Sequence, residues 1–185
     1  MKRRDFLQKT AIAVGACADL LATRGPSEAT NTHVCPERPS RDQRAEKILI
    51  TSAHARISQL LAAELSHAYC VRLTGPADVA VEHEFTKNKL DHDESTRSLV
   101  QDVTAIVHVA QPLTDAEEME RIDYRTRCTY NLLRAAVEER VRHLVYLSSL
   151  HVLTSYDEAL EVDEDWQPLP TIASAGLSDH LGEYT

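Results

Sequence analysis

KILITSAHARISQLLAAEL, residues 47–65, sets a short apolar run, a turn and an amphipathic segment end to end. It reads as strand, tight turn, helix. Ile48, Leu49 and Ile50 form the continuous aliphatic run that a strand buried on both faces of a sheet requires. Ile57, Leu60, Leu61 and Leu65 recur at helical spacing and predict one apolar face lying against that sheet. In a doubly wound α/β fold, such a first turn is where a dinucleotide's pyrophosphate rests on the N-terminus of the helix.

Before this stretch the composition changes. Residues 23–46 are rich in Pro, Ser, Thr, Asn, Arg and Glu and predict a flexible linker. Residues 1–22 carry Arg3-Arg4, then Phe6-Leu7 and an Ala-rich apolar run, and look like a twin-arginine export signal. That run is too short to span a bilayer. The expected product is periplasmic, either soluble after cleavage beyond Leu20-Leu21-Ala22 or a lipoprotein anchored at Cys17. The 185 residues hold 20 Lys+Arg against 29 Asp+Glu, a balance that argues against nucleic acid or an anionic membrane surface as partner. A hydrophobic content of 43% is ordinary for one globular domain. Cys17, Cys35, Cys70 and Cys128 show no C-x-x-C spacing, and the nine histidines no paired spacing, so no metal site is expected.

After it, residues 69–73 predict a second strand, reached through the helix as in a parallel crossover, and 79–85 a weaker third. A helix is expected over 94–101 and a strongly apolar strand over 105–110. A long helix follows over 116–140, with Met119, Ile122, Thr126, Tyr130, Leu133 and Val137 as its core stripe. Residues 143–147 make a fifth strand with Ser148-Ser149 at its carboxyl end, where ligands bind in open α/β sheets.

Thr51-Ser52-Ala53-His54-Ala55-Arg56-Ile57-Ser58 resembles the T-G-x-x-G-x-x-G turn of the extended short-chain dehydrogenase/reductases, the NAD-dependent epimerase/dehydratase family. All three glycines are replaced, by Ser52, Ala55 and Ser58. DYRTRCTYNLLRAA, residues 123–136, resembles the family's N-x-x-G-T-x-N-L-L-x-A-A, and VRHLVYLSSLHVL, residues 141–153, its V-K-x-F-V-Y-x-S-S-x-x-V-Y-G. The resemblance implies a Rossmann-like doubly wound parallel sheet over residues 47–185, with the C-terminal part of the family fold missing. It implies NAD or NADP as cofactor, weakly held or lost, contacting Thr51, Ser52, Ala55, Arg56, Ile57, Asp91, His108, Ala110 and Ser148. At the end of the second strand the family carries an acidic residue for the adenosine ribose, or a basic one for a 2′-phosphate. This chain has Thr74-Gly75-Pro76, with Asp78 a few residues on.

Ser149 matches the family's catalytic hydroxyl, which hydrogen-bonds the substrate's carbonyl or alcohol. Beyond it the family's general acid/base Tyr and its Lys stand as Y-x-x-x-K. Ser178, Gly182 and Glu183 keep that frame, yet the Tyr position is Ala175 and the Lys position Asp179. The resemblance therefore implies an epimerase/dehydratase-like protein with impaired catalysis and residual dinucleotide binding. Two alternatives stay open. One is an active oxidoreductase or epimerase of nucleotide sugars using non-standard residues. The other is a module that pairs with itself or an intact homologue through the helix over 116–140, whose second stripe, Cys128, Leu132 and Ala135, would face the partner.

Overall fold

The computed structural model describes residues 46–172 and 175–185. The export signal, most of the linker and Cys17 fall outside the described residues. Within them, β1 (Lys47–Ile50), β2 (Cys70–Gly75), β3 (Glu84–Lys87), β4 (Ala105–Val109) and β5 (His143–Leu147) form one parallel sheet in the order β3-β2-β1-β4-β5. This is the Rossmann-like doubly wound arrangement. Its helices are α1 (Arg56–Leu65), α2 (Glu94–Val100), α3 (Glu118–Asp123) and α4 (Thr129–Glu138), with α5 (Ala175–Glu183) closing the described chain. A π-helical turn, Tyr124–Cys128, joins α3 to α4, and a 3₁₀ turn, Leu150–Leu153, follows β5.

The central strand explains the layering. Leu49 points into a core with Leu99, Ile106 and Leu132, under α2 and α4, whereas Ile48 and Ile50 point into a second core with Ala55, Ala62 and Leu73, under α1. The chain runs outward from β1 to β3 and returns to β4 on the other side. The sheet's switch point, where open α/β sheets form their crevice, therefore lies between β1 and β4.

Several expectations are corrected. On α1 the buried residues are Ser58 and Ala62, with Leu61 and Leu65 half-buried, while Ile57 and Leu60 stand 40% and 53% exposed. On α3–α4 half of the expected core stripe is outside, with Met119, Tyr130 and Val137 exposed by 73%, 52% and 77%, while Ile122, Thr126 and Leu133 are half-buried. The stripe assigned to a partner, Cys128, Leu132 and Ala135, is inside. On both helices small residues, Ser58 and Ala62 on α1 and Ala135 and Ala136 on α4, are among those at the buried face. β2 runs on through Thr74 and Gly75, which pair with Thr86 and Lys87, so the turn starts only at Pro76. β3 begins at Glu84, because Val79 and Val81 pack against the core instead of joining the ladder.

Four non-glycine residues adopt positive φ: Ser52 (53°), Leu90 (57°), Asp102 (61°) and Arg140 (58°). Asp102 and Arg140 follow the C-caps of α2 and α4, the position at which helices favour glycine. Among the described residues no helix is long and apolar enough to cross a membrane.

Candidate functional site

The turn after β1 keeps its shape without glycine. Ser52 holds the left-handed conformation at the first glycine's position, and its buried hydroxyl bonds the carbonyls of Val109 and Gln111 (2.9 Å for the latter) and the Tyr124 hydroxyl (3.0 Å). Ser58, at the third, is buried and donates to the Thr51 carbonyl (2.8 Å). Ala55, at the second, is buried in the α1 core, so packing absorbs its methyl group. No side chain caps α1, and its first-turn N–H groups, those of Arg56 and Ile57 included, face the turn as a ready anion site.

His54 crosses the crevice. Its Nε2 lies 3.2 Å from the Pro112 carbonyl oxygen, which can only accept, so Nε2 carries the proton. Nδ1 is shut from solvent and has no hydrogen-bond partner. The loops after β2, β3 and β4 then bound a cavity of about 470 Å³ lined by Pro76, Lys89, Asp91, Pro112, Tyr124 and Arg127, among others. Asp91 and Arg127 pair at 3.1 Å on its wall, and Arg127 also clamps Asp123 at 2.7 Å. Tyr124 and Cys128 lie behind it, where burial pushes the phenol up to about 12 and the thiol up to about 11. Of the expected cofactor contacts only Asp91 lines this cavity; Thr51, Ser52 and Ala55 are buried within the turn after β1, and Arg56 and Ile57 open α1 beside it.

His108 sits under that space and not in it. It is fully buried, with Nδ1 2.8 Å from Thr51 Oγ1 and Nε2 2.9 Å from Thr129 Oγ1. Burial lowers its pKa to about 4, so the ring is neutral and offers no surface to a ligand. The matched residues of the long helix are structural in the same way: Thr129 holds His108, and Asn131 donates to the Leu90 carbonyl (2.9 Å).

At the far end, Ser148 donates to the Glu183 carboxylate, and Ser149 Oγ accepts from the His151 N–H (3.2 Å), capping the 3₁₀ turn. Ala175 opens α5 and brings no hydroxyl. Asp179 is buried, with Oδ1 2.9 Å from Arg125 Nε and Oδ2 without a partner. Burial raises its pKa, against the pull of Arg125. Arg125 also donates to the Ala110 carbonyl (3.1 Å) and to Ser178 Oγ (2.5 Å). Position 179, which the resemblance implies to be the Lys position, thus holds a carboxylate answered by a cation from the π turn. Tyr156 is used elsewhere, donating to the Gln167 carbonyl (2.8 Å) and packing edge-on against Trp166.

His54, Tyr124 and Arg125 were not singled out by the sequence reading. Only Arg125 had a signal, because an acidic residue where the pattern wants a cation calls for a counter-charge nearby. The fit of α5 is tight. A β-carbon on Gly182 would lie 2.2 Å from the Tyr146 hydroxyl oxygen and 2.8 Å from the Arg125 carbonyl oxygen. Gly182→Ala is expected to cost about 1–3 kcal/mol in chemical denaturation, as overpacking does. Unchanged stability would mean that α5 can slide away from β5.

Among proteins of curated function none matches the chain in sequence. Solved structures do. A mutated uronate dehydrogenase is 26% identical, with a TM-score of 0.65 over 76% of this chain and 52% of its own. A short-chain dehydrogenase/reductase superfamily protein from Agrobacterium tumefaciens, solved with bound NAD, is also 26% identical, with a TM-score of 0.66 over 75% of this chain and 43% of its own. The UDP-N-acetylglucosamine 4-epimerase of Bacillus cereus, at 21% identity and a TM-score of 0.63, covers 76% of this chain and 47% of its own, and bears on the fold alone. The chain spans about half the length of these relatives. The sequence model of the NAD dependent epimerase/dehydratase family matches residues 43–176, from ahead of the strand that carries the serine-containing turn to the start of the helix that carries Asp179. The chain belongs to that family.

Proposed function

We propose that this protein retains a dinucleotide crevice, for NAD or NADP, while its catalysis is impaired. The observation that carries this reading is the Arg125–Asp179 pair. The position from which the family's Lys serves the cofactor and the catalytic Tyr holds a carboxylate committed inside the protein, and Ala175 has no proton to give. General acid–base catalysis contributes about 10²–10⁴-fold, so its loss lowers turnover without closing the crevice. Support for retained binding comes from the uncapped first turn of α1, the absorbed Ala55 methyl and the 470 Å³ space beside Asp91. A bound dinucleotide would supply hydride chemistry, with the first-turn N–H groups of Arg56 and Ile57 holding its phosphates, Thr51, Ser52 and Ala55 shaping the buried turn behind them, and Asp91 at its adenosine end. Ala110 and Ser148-Ser149 would lie toward the reacting ring.

Calorimetric titration of NAD⁺, NADH and NADPH into the purified full chain tests the binding half. Micromolar affinity, about −8 kcal/mol, is expected. No heat up to millimolar ligand, from a sample shown to be folded, withdraws the reading. Relatives named for uronates and UDP-sugars make sugar acids and nucleotide sugars the substrate classes to assay. Turnover at rates normal for an enzyme would replace the impaired reading with that of an active oxidoreductase or epimerase using another proton donor.

Pairing of two chains, or of this chain with an intact homologue, is favoured by one observation, the apolar outer face of α3–α4 at Met119, Tyr130 and Val137. Export by the twin-arginine route, to a soluble periplasmic or lipid-anchored product, belongs to the same proposal and rests on Arg3-Arg4 and the apolar run behind them.

A further inference from the structure

We infer that His54 and Gly75 set the ribose end of the crevice, and that this chain takes the 2′-phosphorylated dinucleotide, NADP, at least as readily as NAD. The inference rests on the dinucleotide reading above and deepens it.

A carboxylate at the end of the second strand of such a sheet accepts hydrogen bonds from a ribose 2′-hydroxyl, and its charge repels a 2′-phosphate. Here β2 ends at Gly75, with no side chain to do either. The ground in front of it belongs to His54. A β-carbon built on Gly75 would stand 3.9 Å from His54 Nδ1 and 3.4 Å from the Ala53 nitrogen. His54 Nε2–H is held by the Pro112 carbonyl, which leaves Nδ1 as the free valence of the ring, buried and without a partner.

An imidazole differs from a carboxylate at this place. Neutral, Nδ1 accepts from a hydroxyl; protonated, it donates to a phosphate; in neither form does it repel an anion. Either ligand, reaching Nδ1 as the ring swings out of its sealed position, would also satisfy an atom that now has nothing to bond. A cation stands close by. Lys87 is the register partner of Gly75 across the β2–β3 ladder, and its ammonium lies 2.6 Å from Asp78 Oδ2. That pair is exposed on both sides and weakly held, so Lys87 is free to turn to a phosphate. The end of β2 therefore has no carboxylate at position 75 itself, the nearest being Asp78 on Lys87, and has two groups able to receive a 2′-phosphate once Lys87 leaves that partner.

Binding of NAD⁺ and NADP⁺ to the full chain is measured for wild type, Gly75→Asp and His54→Ala. A β-carbon at Gly75 meets only ordinary van der Waals contact and the φ there is not positive, and Gly75→Ala, which adds that carbon without charge, serves as the control for folding. Wild type is expected to bind NADP⁺ no more weakly than NAD⁺. Gly75→Asp is expected to move the ratio at least about tenfold toward NAD⁺, the size of one charge-assisted discrimination. His54→Ala is expected to weaken NADP⁺ several-fold. A wild-type preference for NAD⁺ of tenfold or more, an unmoved ratio in Gly75→Asp, or unchanged NADP⁺ affinity in His54→Ala overturns the inference and leaves the cofactor reading standing. Absence of binding by either dinucleotide to folded wild type takes down both.

Discussion

Arg125→Met is expected to destabilise the protein by about 3–5 kcal/mol, the cost of leaving one member of a buried ion pair without its partner. The pair qualifies because both side chains are nearly sealed, at 14% and 6% exposure. Loss of the guanidinium also leaves the Ala110 carbonyl unserved and removes the donor to Ser178 Oγ, which keeps only its own bond to the Ala175 carbonyl (2.9 Å). Asp179 already has one oxygen unsatisfied and a raised pKa, which the loss of Arg125 raises further. The variant therefore takes up a proton there, and its deficit shrinks as the pH is lowered. Urea titrations at pH 8 and pH 5 measure both effects. Arg125→Met/Asp179→Leu removes the two charges together and is expected to recover most of the loss, since apolar replacement of a buried pair is often neutral. Equal deficits in the single and double variants would show that the pair is not what fastens α5 to the π turn.

Lowering the pH from 6.5 to 4 is expected to remove about 3 kcal/mol of stability through His108 alone, at 1.36 kcal/mol per unit of pKa difference. The ring titrates at about 4 when folded, against 6.5 in an unfolded chain, because burial penalises its charged form. Across that window the unfolded state binds the proton and the folded state does not. The stability is therefore fully present above pH 6.5, declines as the pH falls, and is exhausted below 4. Other groups titrate in the same range, so the informative quantity is the difference between wild type and His108→Gln. The variant is expected to be weaker at pH 7.5 and to show a flatter slope below 6.5. Parallel slopes would show that His108 is not the group responsible.

The sheet was legible in the sequence because its strands are buried on both faces, and a run such as Ile48-Leu49-Ile50 has few other homes. Helix faces were not legible, for one reason that applies twice. Large apolar residues were read as the core, yet small ones are buried there, Ala55, Ser58 and Ala62 at α1 and Cys128, Ala135 and Ala136 at α4. Ile57, Leu60, Tyr130 and Val137 were left on the outside. At the site, the departures at positions 52, 55, 58, 175 and 179 were implied by the family resemblance. What occupies the space around them was not. The bond from His54 to Pro112 spans 58 residues and that from Arg125 to Ser178 spans 53, and no local pattern records such pairings.

Every left-handed residue in the described chain carries a side chain, and the glycines all sit elsewhere. Each such residue costs on the order of 1 kcal/mol, against a net stability of about 5–15 kcal/mol for an ordinary domain. Glycine at such bends is therefore expected to raise stability, read as an upward shift in the thermal midpoint of Arg140→Gly. The least disruptive route to a hardier version lies at Asp102 and Arg140, two helix ends away from the crevice, where glycine would relax the backbone and leave the cavity walls untouched.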